Sequence, residues 1–181
     1  DRMGFFIILS RTAGEYRQRG MMGNVMSEII WKDLHHSELT VATLYQLLAL
    51  RNQVFIVEQC CPYQDIDGED VQGDNRHLLG FDGDKLAACA RVLVPADNRQ
   101  PLSIGRVIVA PYARGRKLGH HLLEKVLESC QKYYPRRTIR LSAQAHLQSF
   151  YRAQGFAACT EVYQEDGIDH IGMLLQAGDT L

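Results

Sequence analysis

Leu44, Leu47, Leu48, Arg51 and Phe55 recur at helical spacing behind Thr40, a residue type that caps helix N-termini, and predict a helix ending near Glu58. Residues 60–74 are rich in Pro, Gly and Asp and predict a long loop up to about Asn75. Three apolar runs then follow, at 77–81, 85–94 and 103–109, separated by the turns Asp82-Gly83-Asp84 and 96–101. They predict three consecutive antiparallel strands. Leu118, Leu122, Leu123, Val126, Leu127 and Cys130 form one stripe of a second helix, with Pro135 just beyond its end. Residues 138–143 alternate as a strand, 146–154 predict a short helix stopped by Gly155, and segments around Thr160 and Ile171 flank the turn Glu165-Asp166-Gly167.

Near the start, Met26-Ser-Glu-Ile-Ile-Trp31 reads as a native start followed by a short strand. Residues 1–25 place Arg11, Arg17 and Arg19 after the apolar patch 5–9, the reverse of a signal peptide's order. They are expected to be a tag or leader outside the fold, leaving residues 26–181 as a single domain. The predicted order is β, α, three β, α, β, α and a hairpin, with no internal repeat, which describes one mixed α/β sheet with helices on its faces.

Composition narrows the classes. With 46% hydrophobic and 23% charged residues, the 181-residue chain suits one globular domain rather than a disordered or fibrous one. A formal charge of −1 supplies no field for holding a phosphate backbone, so non-specific nucleic-acid binding is not expected. The longest apolar stretches, 5–9 and 86–90, are far short of the ~20 residues that span a bilayer, so no membrane helix is expected. Cys60, Cys61, Cys89, Cys130 and Cys159 fit neither a disulfide framework nor zinc spacing, and a reducing, cytoplasmic compartment is the natural expectation.

Candidate chemistry concentrates after the third strand of the apolar trio. Arg106-Val-Ile-Val-Ala-Pro-Tyr-Ala-Arg114-Gly115-Arg116-Lys117-Leu118-Gly119 is a strand, a turn and a Gly-containing basic loop opening an amphipathic helix. A helix N-terminus offers unpaired N–H groups and partial positive charge, and three cationic side chains stand nearby, so an anionic cofactor such as a pyrophosphate suits the place. Neither the Walker spacing nor Gly-x-Gly-x-x-Gly is present. The competing reading is a cationic turn in water with Gly for its backbone freedom.

This loop resembles the Arg/Gln-x-x-Gly-x-Gly/Ala cofactor motif of the GNAT acetyltransferases. Arg114 and Gly119 match, and Lys117 stands where the family usually has its middle Gly, so the backbone is expected to approach the phosphates less freely there. A second family signature, Asn-x-x-Ala-x-x-Phe-Tyr-x-x-x-Gly-Phe, is similar to Gln144-Ala-His-Leu-Gln-Ser-Phe150-Tyr151-Arg-Ala-Gln-Gly155-Phe156, with Gln144 and Leu147 as the departures. Val54-Phe-Ile-Val-Glu-Gln59, Ile104-Gly-Arg-Val107 and Glu165-Asp-Gly-Ile-Asp-His170 resemble segments of its ElaA-type branch, and the likeness covers about residues 30–174.

The resemblance implies the GNAT acyl-CoA N-acyltransferase fold, a central, mostly antiparallel sheet with helices on both faces. It implies N-acetyltransfer from acetyl-coenzyme A to a primary amine of a small molecule or peptide, by direct attack in a ternary complex, and it leaves room for a homodimer. The alternative is a non-catalytic acyl-coenzyme A sensor or interaction module of the same fold. Backbone groups of Val107, Ile108 and Val109 would pair with pantetheine, and Gly115, Arg116, Lys117, Leu118, Gly119 and His120, with Arg114 and Gln144, would complete the cofactor site. Tyr151 falls where the family carries the Tyr that donates a proton to the leaving sulfur; ring packing in the core is the competing reading. The apolar trio's third strand, where relatives often carry a Glu, has no carboxylate, so candidate bases are Glu58, His77 and His146. Asp65, Asp67, Glu69, Asp70 and Asp74 form an acidic loop that suits either solvation or steering of a cationic substrate; the loop lacks EF-hand spacing. His35-His36 and His120-His121 diverge as sequence neighbours, so no metal is assigned.

Overall fold

The computed structural model describes residues 7–8 and 28–178. Its elements are β1 (Ile7–Ile8), β2 (Ile29–His35), α1 (Val41–Arg51), β3 (Arg76–Asp82), β4 (Lys85–Leu93), β5 (Leu102–Val109), α2 (Leu118–Tyr133), β6 (Ile139–Gln144), α3 (Gln148–Arg152), β7 (Ala157–Ala158), β8 (Tyr163–Glu165) and β9 (Ile168–Leu175). Thr40 caps α1 by accepting the N–H of Thr43 at 3.1 Å. The helix then widens into π geometry over Asn52–Glu58, where the N–H of Gln59 reaches back to the carbonyl of Val54.

The strands make one sheet in the order β2-β3-β4-β5-β6-β9-β7, with β8 on β9 and β1 on β5. Only the β1–β5 and β5–β6 pairings are parallel among the described strands. Strand alternation sorts the helices onto two faces. His77 stands opposite Arg91, and Arg91 meets Asp70, to which Arg51 of α1 also donates; that face is covered by α1. Asp33 and Leu78 share the opposite face, where the Cys130 thiol of α2 feels Asp33 and Arg76. The α2 stripe Leu118, Leu122, Leu123, Val126 and Cys130 is buried there, as its spacing predicts.

One irregularity shapes the rest. Cys89 opposes Ile108 and Arg91 opposes Gly105, so Arg106 and Val107 together face the single Ala90, a bulge in β5. Arg106 takes φ 54°, a left-handed conformation that costs a non-Gly residue about 1–3 kcal/mol. Beyond the bulge β5 leaves β6: the two pair at Leu102–Ile139 and Ser103–Arg140, whereas β6 continues alongside β9 to Gln144. The two strands therefore part, with Val107–Val109 on one side and Leu141–Gln144 on the other, and β1 pairs with β5 in the gap between them.

Of the expected leader, Ile7–Ile8 joins the sheet, parallel to β5 opposite Val107 and Ile108, on the edge turned away from β4. The remainder of residues 1–25 lies outside the described residues.

Candidate active site

The bulge is anchored from the long loop. Arg106 donates through Nε to Asp65 Oδ1 at 2.7 Å and through Nη2 to the Asp65 carbonyl at 3.1 Å. Arg51 holds Asp65 Oδ2 at 2.8 Å and Asp70 Oδ1 at 2.5 Å, and Arg91 holds Asp70 Oδ1 and both oxygens of Asp67. All three arginines are almost fully buried. Three guanidiniums and three carboxylates balance in charge, which is what allows them inside. Burial opposes ionisation of Asp67, but the hydrogen bond and the charge of Arg91 outweigh it and bring its pKa down to about 2. The sequence expectation of a solvated acidic loop is thus corrected for Asp65 and Asp70, which arginines hold in the interior, whereas Asp67 caps the cluster from the surface, Glu69 is half-buried and Asp74 is exposed.

The cluster also decides one candidate base. His77 is fully buried on the same face, and its Nε2 hydrogen-bonds the Asp70 carbonyl at 2.8 Å. Burial, the first cause, lowers its pKa, so it is a neutral structural imidazole that braces the loop. His146 is exposed in the turn before α3. Glu58 ends the π segment and grips Arg114 with both oxygens, at 2.8 and 3.1 Å, so two residues that the sequence placed in different roles meet as one ion pair. Arg114 Nε also donates to the Val109 carbonyl at 3.2 Å, tying the loop to the end of β5.

After Arg114 the chain turns through Gly115 at φ 84° and Lys117 at φ 58° before α2 begins. Lys117 adopts the left-handed conformation that glycine takes at lower cost, so the loop keeps its shape despite the side chain. No side chain caps α2: the His120 and His121 N–H groups donate to the Lys117 carbonyl at 3.1 and 3.4 Å, and the amides ahead of them receive no side-chain cap. Arg116 is held by Asp82 at 2.6 Å. An anion at this helix end would therefore meet backbone N–H groups and the helix dipole more than three converging side chains.

The His120 ring of α2 meets the Phe150 ring of α3 edge-on at 4.7 Å, which sets α3 beside the α2 N-terminus. Phe150 and Phe156 pack edge-on against the Tyr151 ring at 4.9 and 6.0 Å. Tyr151 is completely buried, and its hydroxyl has no hydrogen-bond partner among the described residues. Burial pushes the phenol well above its ordinary value. A buried hydroxyl left unpaired costs about 1–3 kcal/mol, a cost that a ligand atom reaching it would remove. The buried Gln144 side chain, at the cleft end of β6, likewise has Nε2 unpaired. Both unpaired donors belong to β6 or to the helix packed against it, and a thioester's carbonyl and sulfur are groups that such donors suit, so the residues fit acyl-coenzyme A.

The bulged strand, the diverging neighbour and the open helix N-terminus define an acyl-CoA N-acyltransferase. The model of the acetyltransferase (GNAT) domain matches residues 30–177, and the chain belongs to the GNAT acetyltransferase family, alongside ElaA. It is 58% identical to Protein ElaA of Escherichia coli (strain K12) over 145 residues, 80% of this chain and 95% of that one. The crystal structure of Escherichia coli ElaA superposes with a TM-score of 0.80 at 56% identity, covering 82% of this chain and all of that one. An acyl-CoA N-acyltransferase from Pseudomonas aeruginosa gives 0.79 at 46% identity, covering 82% and 99%.

Residue-by-residue reading of motifs missed Arg51, Arg91 and Arg106. The available signal was an arginine inside each of two otherwise apolar strands, set against the acid run of the loop.

Proposed function

We propose that this protein transfers the acetyl group of acetyl-coenzyme A to a primary amine by direct attack within a ternary complex. The observation that carries the reading is the Tyr151 hydroxyl, buried and without a partner among the described residues, on the short helix α3 that packs against β6. When bound, the thioester supplies the activated acetyl group. Val107, Ile108 and Val109 present strand backbone to pantetheine once β1 leaves that edge, and the amides of residues 115–119 receive the phosphates, with Arg114 fixing the loop. Gln144 Nε2 donates to the thioester carbonyl, where negative charge grows as the amine attacks. Tyr151 donates its O–H to the departing sulfur. Because burial raises the phenol further above a thiol, full proton transfer is uphill and the hydroxyl acts as a hydrogen-bond donor.

An alkyl amine of pKa about 10.4 is neutral only once in roughly 2,500 molecules at pH 7, so water at the cleft mouth, beside the exposed His146, carries the proton away. Among the described residues no helix is long and apolar enough to cross a membrane, and the acceptors we infer are small-molecule or peptide amines. Incubation with acetyl-coenzyme A and a panel of amines, with thiol release followed by a chromogenic reagent, tests the reading. Amine-dependent turnover with a matching acetylated product supports it. Stoichiometric binding without turnover would leave an acyl-coenzyme A sensor of the same fold.

A further inference from the structure

Away from the acetyl-transfer residues, a recess of about 260 Å³ opens between the edge strand β2 and the later turns of α2. Trp31 opposes Gly80 and Asp33 opposes Leu78, so Trp31, Asp33 and Leu78 border the recess from the α2 side of the sheet. Lys125, Glu128, Ser129 and Lys132 border it from the helix, at the three- and four-residue steps that share one helix face. Ser129 lies 11 residues beyond Leu118, which puts the recess roughly 16 Å along α2 from its N-terminus. None of these residues takes part in the acetyl transfer proposed above.

Three observations give the recess the character of a ligand site. The half-buried Trp31 indole lies across Gly80, where an added Cβ would come within 2.7 Å of ring carbon Cζ3; Gly80 has no positive φ, so its missing side chain makes room for the ring, which forms one wall. Ser129 is only 3% exposed, and its hydroxyl has no hydrogen-bond partner among the described residues. A hydroxyl shut away in this manner destabilises the fold, and a ligand atom reaching it would remove that cost. Charge is also unbalanced, since three lysines and two carboxylates border the recess. Asp33 accepts from Arg76 Nε at 2.9 Å and Glu128 from Lys125 at 2.7 Å, so both carboxylates are already answered. Lys32 and Lys132 rest instead on the rings of Phe81 and Tyr133, at 5.0 and 4.7 Å, and the Tyr133 ring carries the Arg76 guanidinium as well, at 3.7 Å.

We propose that this recess binds a small aromatic carboxylate, with its ring against the Trp31 indole, a neutral hydroxyl on that ring bonded to Ser129 Oγ, and the carboxylate at the rim toward Lys132. Desolvation sets the orientation. A carboxylate driven onto Ser129 would be buried with a single hydroxyl to answer it, whereas at the rim it keeps water and meets the excess lysine charge. A neutral hydroxyl can go inward because Ser129 both donates and accepts. The volume suits one ring, since pockets for drug-sized ligands run to about 300–1,000 Å³. A ligand held here is neither the acceptor nor the cofactor of the acetyl transfer; it occupies a second site, at the other end of the helix whose N-terminus faces the phosphates.

Trp31 is the sole tryptophan of the chain, so its fluorescence reports on the recess directly. The probe is para-hydroxybenzoate, titrated into the full chain with tryptophan alone excited and followed in parallel by calorimetry. A saturable change with a Kd below about 1 mM is expected. Benzoate, which lacks the hydroxyl, and phenol, which lacks the carboxylate, should each bind about three- to tenfold more weakly. Ser129→Ala should weaken para-hydroxybenzoate by a similar factor while leaving benzoate nearly unchanged, and Lys132→Gln should weaken it and flatten its loss of affinity with salt. Without ligand, Ser129→Ala should melt no lower than wild type, because the hydroxyl it removes is unpaired. Neither heat nor fluorescence change up to about 10 mM would overturn the proposal. So would binding that both folded variants leave intact, a Ser129→Ala variant that melts well below wild type, or displacement of the probe by coenzyme A, which would put it in the acetyl-transfer site.

Discussion

Replacing Tyr151 by Phe should make the protein more stable and less active at once. The ring is fully buried between Phe150 and Phe156, and the substitution keeps that packing. It removes a hydroxyl that is solvated in the unfolded chain and has no partner in the folded one. Leaving such a group unpaired costs about 1–3 kcal/mol, so the Phe variant should gain up to that amount without ligand. In a domain of this size each kcal/mol raises the melting temperature by about 2–4 °C. Catalysis moves the other way. The hydroxyl is a donor that the sulfur uses as it acquires charge, so kcat should fall about 10²-fold while coenzyme A affinity changes little. Differential scanning fluorimetry of the free protein and steady-state kinetics together make the assay. A Phe variant that melts lower would show that the hydroxyl holds a structural hydrogen bond, and unchanged turnover would make Tyr151 a packing residue; either result refutes the reasoning.

Other residues give separable outcomes. Arg114 can turn toward a phosphate only by leaving Glu58, and an ion pair this accessible is worth about 0.2–1 kcal/mol; Glu58→Gln should therefore tighten coenzyme A binding by up to about fivefold at low salt, and calorimetry at two ionic strengths should show the gain fading as salt rises. Asp67 is held at about 2 against an ordinary 3.8, so it contributes stability that is full above pH 4 and is lost as pH falls through 2; denaturant titrations from pH 6 to pH 2 should show that decline, and it should be shallower in Asp67→Asn. Deleting residues 1–25 should leave the melting temperature unaltered and tighten coenzyme A binding, because Ile7–Ile8 and pantetheine claim the same edge of β5; weaker binding after truncation would show that the segment helps build the site.

The α2 stripe and the strand alternation were legible because burial imposes a period on the chain, and Thr40 announced its helix through capping chemistry. Gly115 and Gly155 likewise sit where positive φ is required. The bulge at Arg106 was not legible, since a left-handed arginine contradicts local preference and is held there by Asp65, 41 residues away in sequence. Nor was the pairing of Glu58 with Arg114, which depends on how the π segment delivers Glu58 to the cleft edge. Motif spacing placed Tyr151 in a role, whereas only tertiary packing could reveal that its hydroxyl is unpaired. Lys117 shows the same limit from the other side: sequence suggested a less accommodating loop, and the backbone adopts the glycine-like conformation regardless.

The account turns on where the thioester lies, and the most direct measurement is a crystal structure of the protein with coenzyme A bound. The prediction is a pantetheine arm along Val107–Val109 in the gap between β5 and β6, phosphates on the amides of residues 115–119, and the sulfur within hydrogen-bond distance of the Tyr151 hydroxyl. A coenzyme A seated elsewhere, or a sulfur out of reach of a still unpaired Tyr151, would contradict it.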